Sequence, residues 1–172
     1  AYLGATWEWN GATWVRLYPQ ASPSPRLLSA MTSDLRRGRT VLFGGSTESG
    51  GSNDTWEWNG VTWTLIAADR DVSPPLVGPG QPGFVYPSRR WGHALAFDPF
   101  RGRVVTIGGW SDLEDPFWSW DGAHWTNDNE TAGGPDMVAR HGPGWAYDAN
   151  RGGVLLFGGF PDQTYWTFLL SG

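Results

Sequence analysis

The sequence contains no cysteine, which excludes disulfides, a thiolate nucleophile and any cysteine-ligated metal. It has no apolar run near the ~20 residues that a membrane span needs. No segment of helical length repeats its apolar residues with a 3.6-residue period, so almost no helix is expected. Basic residues are outnumbered, 12 Lys+Arg against 17 Asp+Glu, and the formal net charge is -5. That balance is the reverse of a nucleic-acid-binding footprint. No charged-then-apolar leader and no initiator Met stand at the start, so a processed or excised chain is expected. The same absences fit a secreted or extracellular bacterial repeat protein after cleavage, and equally an excised fragment of a cytosolic one, so they leave the location open.

Against these absences stand 13 Trp, 25 Gly and 13 Pro in 172 residues. Disordered chains are poor in aromatics, so this much Trp implies a packed protein with many turns. The length suits a single domain over residues 1–172 with a core of useful size.

The chain is built from internal repeats, spaced by about 50 residues. Trp7-Glu8-Trp9-Asn10-Gly11-Ala12-Thr13-Trp14 returns from Trp56 to Trp63 and again from Trp118 to Trp125. A worn fourth copy begins at Tyr165-Trp166-Thr167-Phe168. The Pro/Gly-rich stretch from Ser73 to Gly83 reads as an insertion. Between these copies lies a second repeated element. It runs from an Arg (Arg26, Arg90, Arg140) to an Asp (Asp34, Asp98, Asp148), then an Arg-Gly turn, then an apolar run closed by Gly-Gly.

Each unit therefore reads as four short strands, a to d. Strand a follows the first Arg, and the Asp-to-Gly turn leads into the β-branched strand b. The double glycine ends b, where glycine permits backbone angles that other residues avoid. Strand c is Trp-x-Trp, with aromatics on one face. Asn-Gly or Asp-Gly predicts a two-residue hairpin into strand d, which begins at Thr-Trp. The units fall at approximately 1–17 (strands c and d alone), 26–66, 90–126 and 140–172, the last incomplete.

A four-stranded unit of this length resembles a blade of the kelch-type β-propellers. Phe43-Gly44-Gly45, Ile107-Gly108-Gly109 and Phe157-Gly158-Gly159 resemble the kelch double glycine, and Trp56 and Trp118 the kelch Trp. Arg90-Trp91-Gly92-His93 resembles the Arg-x-Gly-His opening of strand a, whereas Arg26-Leu27-Leu28-Ser29 lacks the Gly-His pair and Arg140-His141-Gly142-Pro143 shifts the His. The resemblance covers essentially the whole chain. It implies an all-β fold of kelch-like blades, about three and a quarter per chain, and a non-catalytic role in protein binding through loops on one face. Some relatives, such as galactose oxidase, are copper enzymes, but their cross-linked Tyr-Cys pair needs a cysteine that this chain lacks. About 13 strands do not close a ring of four-stranded blades. The expected partner is another copy of the chain or the rest of a longer propeller.

Loop variation on a repeated scaffold usually marks the binding face. Here that face carries the b–c loops, Ser46 to Asp54, Trp110 to Pro116 and Phe160 to Gln163, and the d–a loops. Its candidate residues are Arg26, Arg90, Arg140, Trp91, Trp110, Phe160, Asp54, Asp115 and Asp162. The three arginines are placed either to hold an anion, since a guanidinium binds carboxylate as a fork, or to pair internally with Asp54, Asp115 and Asp162. The repeated tryptophans are expected to pack unit on unit. Unrepeated aromatics such as Trp91, Trp110, Tyr86 and Phe160 leave a lectin-like role open, with a glycan as ligand, and a structural subunit that binds itself is a further alternative. The histidines have no close metal-ligand spacing, no nucleophile elbow or phosphate loop is present, and the adjacent acids Glu114-Asp115 define no dyad. No catalytic residue, metal or cofactor is expected.

Overall fold

A computed structural model describes residues 1–69, 86–111, 117–128 and 140–161. Every regular element among them is a β-strand, and the fold is all-β. None of the described residues forms a helix long and apolar enough to cross a membrane.

Two four-stranded antiparallel sheets form the middle of the chain. The first runs β3 (Ala30–Asp34), β4 (Arg39–Thr47), β5 (Gly50–Trp58), β6 (Trp63–Ala67) in chain order. The second runs β8 (Ala94–Asp98), β9 (Arg103–Ile107), β11 (Phe117–Trp120), β12 (Trp125–Asn127). At one end stands a lone hairpin, β1 (Thr6–Trp9) with β2 (Trp14–Leu17), equivalent to strands c and d. At the other stands β14 (Gly144–Asp148) with β15 (Gly153–Phe157), equivalent to strands a and b. Strands β3, β8 and β14 lie side by side, so successive units meet along their first strands.

The repeated residues have local reasons. In each a–b turn the Asp side chain accepts two backbone amides, for Asp34 those of Arg36 and Arg37, both at 3.1 Å, and it pairs with the Arg three residues on. This Asx arrangement offers the backbone its hydrogen bonds exactly where the ladder stops, hence the Asp and the Arg-Gly. The c–d connections differ from the expected two-residue hairpin. Trp9 pairs with Trp14 and Trp58 with Trp63, leaving four-residue loops. Asn10, Asn59 and Asp121 each accept the amides two and three residues on, so the side chain replaces a tight turn.

The double glycine ends strand b at Ile107 and Phe157 but not in the first sheet. There β4 passes through Gly44-Gly45 with a bulge, and the expected loop from Ser46 to Asp54 is instead a hairpin turning at Glu48-Ser49. Beyond each double glycine a short clip recurs. Leu27 bridges Ser46, β7 (Arg90–Trp91) pairs with β10 (Trp110–Ser111), and β13 (Arg140–His141) pairs with β16 (Phe160–Pro161).

The core lies between consecutive sheets. Val41 and Phe43 of the first sheet meet Leu95, Trp118, Trp120 and Trp125 of the second. Ala94, Ile107 and Phe117 of the second carry Trp145 and Leu156 of the last hairpin. The insertion from Ser73 to Gly83 and the fourth copy from Tyr165 to Phe168 lie outside the described residues.

Candidate functional site

The three arginines of strand a do one repeated thing. Each donates from Nη1 to the carbonyl of the first glycine of its unit's pair: Arg26 to Gly44 at 2.8 Å, Arg90 to Gly108 at 3.2 Å, Arg140 to Gly158 at 3.1 Å. Arg26 also forks onto Asp54, at 2.6 and 2.8 Å, and donates to Ser24. Arg90 donates to both the carbonyl and the hydroxyl of Ser88 and is wholly buried. The internal alternative therefore holds for Arg26, whose guanidinium is buried and occupied rather than open to an anion. Asp54 is correspondingly a buried strand residue, not a loop acid. Burial pushes its carboxyl up, but donors from Arg26, Trp56 and Ser52 outweigh that and hold it below the usual range. Asp115 and Asp162 lie outside the described residues.

The junction between units repeats as faithfully. Trp63 donates its indole N–H to Thr6 Oγ1, and Trp125 donates to Thr55 Oγ1, both at 2.9 Å. Trp120 reaches Glu57 at 3.3 Å. The amide of Gly92 binds the carbonyl of Leu28, and the amide of Gly142 binds that of Gly92, at 2.8 and 2.7 Å. The first glycines of the first two pairs serve this junction: a Cβ on Gly44 would press on the carbonyl of Arg90, and one on Gly108 would collide with Arg140, both in the following unit.

The aromatic candidates are partly committed elsewhere. Trp110 is exposed but stacks on His141 at 3.9 Å and 15°, and lies against Trp91 at 6.3 Å. Phe160 is exposed. His93 is buried edge-on to Phe43 at 5.4 Å, and neither ring nitrogen makes a hydrogen bond. Burial and the nearby Arg90 charge lower its pKa to about 3, against a weak opposing contact from the Phe43 backbone, so the ring is neutral. Among the described residues no three His, Asp or Glu side chains cluster to hold a metal ion. Of the loop acids, Glu48 sits at the b–c turn and Asp69 pairs with Arg89 at 2.9 Å.

The ends of the array show what the repeat alone concealed. Trp120 and Trp125 are 0% and 4% exposed, but their equivalents Trp9 and Trp14 are 51% and 62% exposed. Packing of unit on unit thus holds for the middle tryptophans and fails for Trp7, Trp9 and Trp14, because no described unit lies on their side. The opposite end mirrors this. Phe43 is 0% exposed and its equivalent Phe157 is 83% exposed; Val41 is buried and Leu155 is open to solvent. A cleft of about 650 Å³ between the second sheet and the last hairpin is lined by Phe117, Trp118, Ser119, Thr126, Trp145 and Val154. The only sequence signal for these open faces was the partial first and last units.

No protein-family model matches the chain, and no curated protein matches it in sequence.

Proposed function

We propose that this chain is a non-catalytic interaction module of kelch-like propeller blades that binds protein through the open ends of its repeat array and the adjoining loop face. The observation that carries this reading is the contrast between equivalent positions. Phe43 and Trp125 are buried where a neighbouring unit lies, and Phe157 and Trp14 are exposed where no described unit does. Burying an aromatic side chain of this size is worth about 2 kcal/mol, so both ends favour a protein surface over water. Among the described residues the half-sheets at the ends also present unpaired strand edges, which are templates for another chain. Strands β3, β8 and β14 side by side suit blades around an axis.

The lectin-like reading has less support, since of its candidate rings Trp110 is already stacked on His141 and lies against Trp91, while Phe160 is exposed. Light scattering over a wide range of protein concentration tests the proposal. A mass rising above the 18.9 kDa of one chain is expected. A monomer at every concentration, in a protein that is folded by near-ultraviolet dichroism, would overturn it.

A further inference from the structure

We infer that the partner is a second copy of this chain, and that the hairpin β1–β2 of one copy completes the hairpin β14–β15 of the other as one four-stranded sheet. This rests on the interaction reading above and names its partner and geometry. The two hairpins are complementary halves: β14–β15 has strands a and b, and β1–β2 has strands c and d.

The complete sheets fix the register. Strand b pairs with strand c as Thr40 with Trp58, Val41 with Glu57, Leu42 with Trp56 and Phe43 with Thr55. The second sheet repeats it, with Val104 opposite Trp120 and Ile107 opposite Phe117. The same register sets Val154 against Trp9, Leu155 against Glu8, Leu156 against Trp7 and Phe157 against Thr6. A slip of one residue would turn every side chain to the wrong face.

Charge agrees with this register. In the first sheet, Glu57 on strand c meets Arg37 of the a–b turn at 2.6 Å. The equivalent residues are Glu8 and Arg151, which in the joined sheet come from different copies. Arg151 is exposed and paired only with Asp148, and Glu8 is exposed with no ion pair.

Packing agrees as well. Trp120 and Trp125 lie against Glu57 and Thr55 of the preceding sheet. The equivalent positions in the second sheet are Ser119 and Phe117, and both line the open cleft of about 650 Å³. Trp9 and Trp14 of the incoming hairpin would enter that cleft. The buried indole N–H of Trp145, which has no hydrogen-bond partner, belongs to a residue lining the same cleft. On the far side, the first complete sheet of the second copy would cover Phe157 and Leu155, as Phe43 is covered by Trp125 at 4.7 Å. Two copies joined at both ends close a ring of six four-stranded sheets, within the roughly four to eight of closed propellers.

Because the chain has no cysteine, introduced thiols report this contact directly. Glu8→Cys and Leu155→Cys are made in separate proteins, mixed and oxidised. A disulfide between them, at twice the chain mass, is expected in at least tenfold excess over Glu8→Cys mixed with Leu156→Cys. Equal yields, or none, would overturn the joined sheet. Glu8→Arg and Arg151→Glu alone are each expected to weaken association about tenfold and to restore it when combined in one chain. Failure of that rescue would contradict the register. If association rises more than tenfold on truncation after Pro161, the β15 edge is blocked in the whole chain and the joined sheet is wrong for it. Self-association without the 8–155 disulfide would leave the interaction reading standing and remove this one; a monomer throughout would remove both.

Discussion

Gly108 lies directly against the backbone carbonyl of Arg140 in the following unit, so close that a methyl group at Gly108 would collide with it. Its neighbour Gly109 donates its amide to the same oxygen at 3.0 Å. Gly108 also has φ of 65°, in the left-handed region. Gly158 is its equivalent, with φ of 70°, and a Cβ there would meet nothing within 4 Å. The pair separates backbone strain from junction packing. In the separated chain, at concentrations too low for the ends to join, Gly158→Ala is expected to cost about 1–2 kcal/mol, the left-handed penalty alone. Gly108→Ala is expected to cost roughly 2 kcal/mol more, because Arg140 must move as well. Urea unfolding of both variants checks this; equal costs would mean that the junction tolerates displacement.

Leu28 points to a stabilising change. It has φ of 55° and is the one described residue other than glycine in the left-handed region. Its equivalents are Gly92 and Gly142, at φ of 66° and 59°. Its carbonyl holds the amide of Gly92, so the conformation is enforced by the junction. Its side chain is exposed, so little packing is lost on removal. Leu28→Gly is expected to stabilise the fold by up to about 1 kcal/mol, strain relief less the added unfolded-state entropy. A lower unfolding midpoint for the variant would contradict this.

The pH dependence of stability follows from His93. The unfolded ring takes up its proton near the ordinary value of 6.5, whereas the folded ring resists until about 3. The folded-state pKa is depressed, so its contribution is complete above 6.5 and is lost as pH falls toward 3. The expected slope is about 1.4 kcal/mol per pH unit across that window. Asp54 adds a loss in the same direction, confined to pH below the ordinary carboxylate range, as its own depressed pKa is approached. His93→Gln cannot titrate, and its stability is expected to fall less steeply than that of the native chain between 6.5 and about 4. Parallel pH profiles would show that His93 does not resist protonation.

Much of the fold was legible because the repeat reports itself. The Asp of each a–b turn, the aromatic strand c and the double glycine each answer a local backbone need, so their recurrence gave the strand order. What the repeat hid was context. Phe43 and Phe157 are the same letter in the same motif, and only the neighbouring unit makes one core and the other surface. The fate of Asp54 was hidden for a related reason. The bulge at Gly44-Gly45 continues the ladder past the double glycine, and an expected loop acid becomes the buried partner of Arg26. The c–d loops were misread because Asn10 was taken as a turn residue for its backbone, whereas its side chain carries the turn.

The most direct measurement is amide hydrogen exchange of β1 and β15 at low and high protein concentration. If a second copy completes the end sheets, the outward amides of both strands slow together as concentration rises. They then approach the protection of the β4–β5 and β9–β11 pairs. If both strands exchange as fast at high concentration as at low, no chain pairs with these edges, and the sheets at the two ends are not joined.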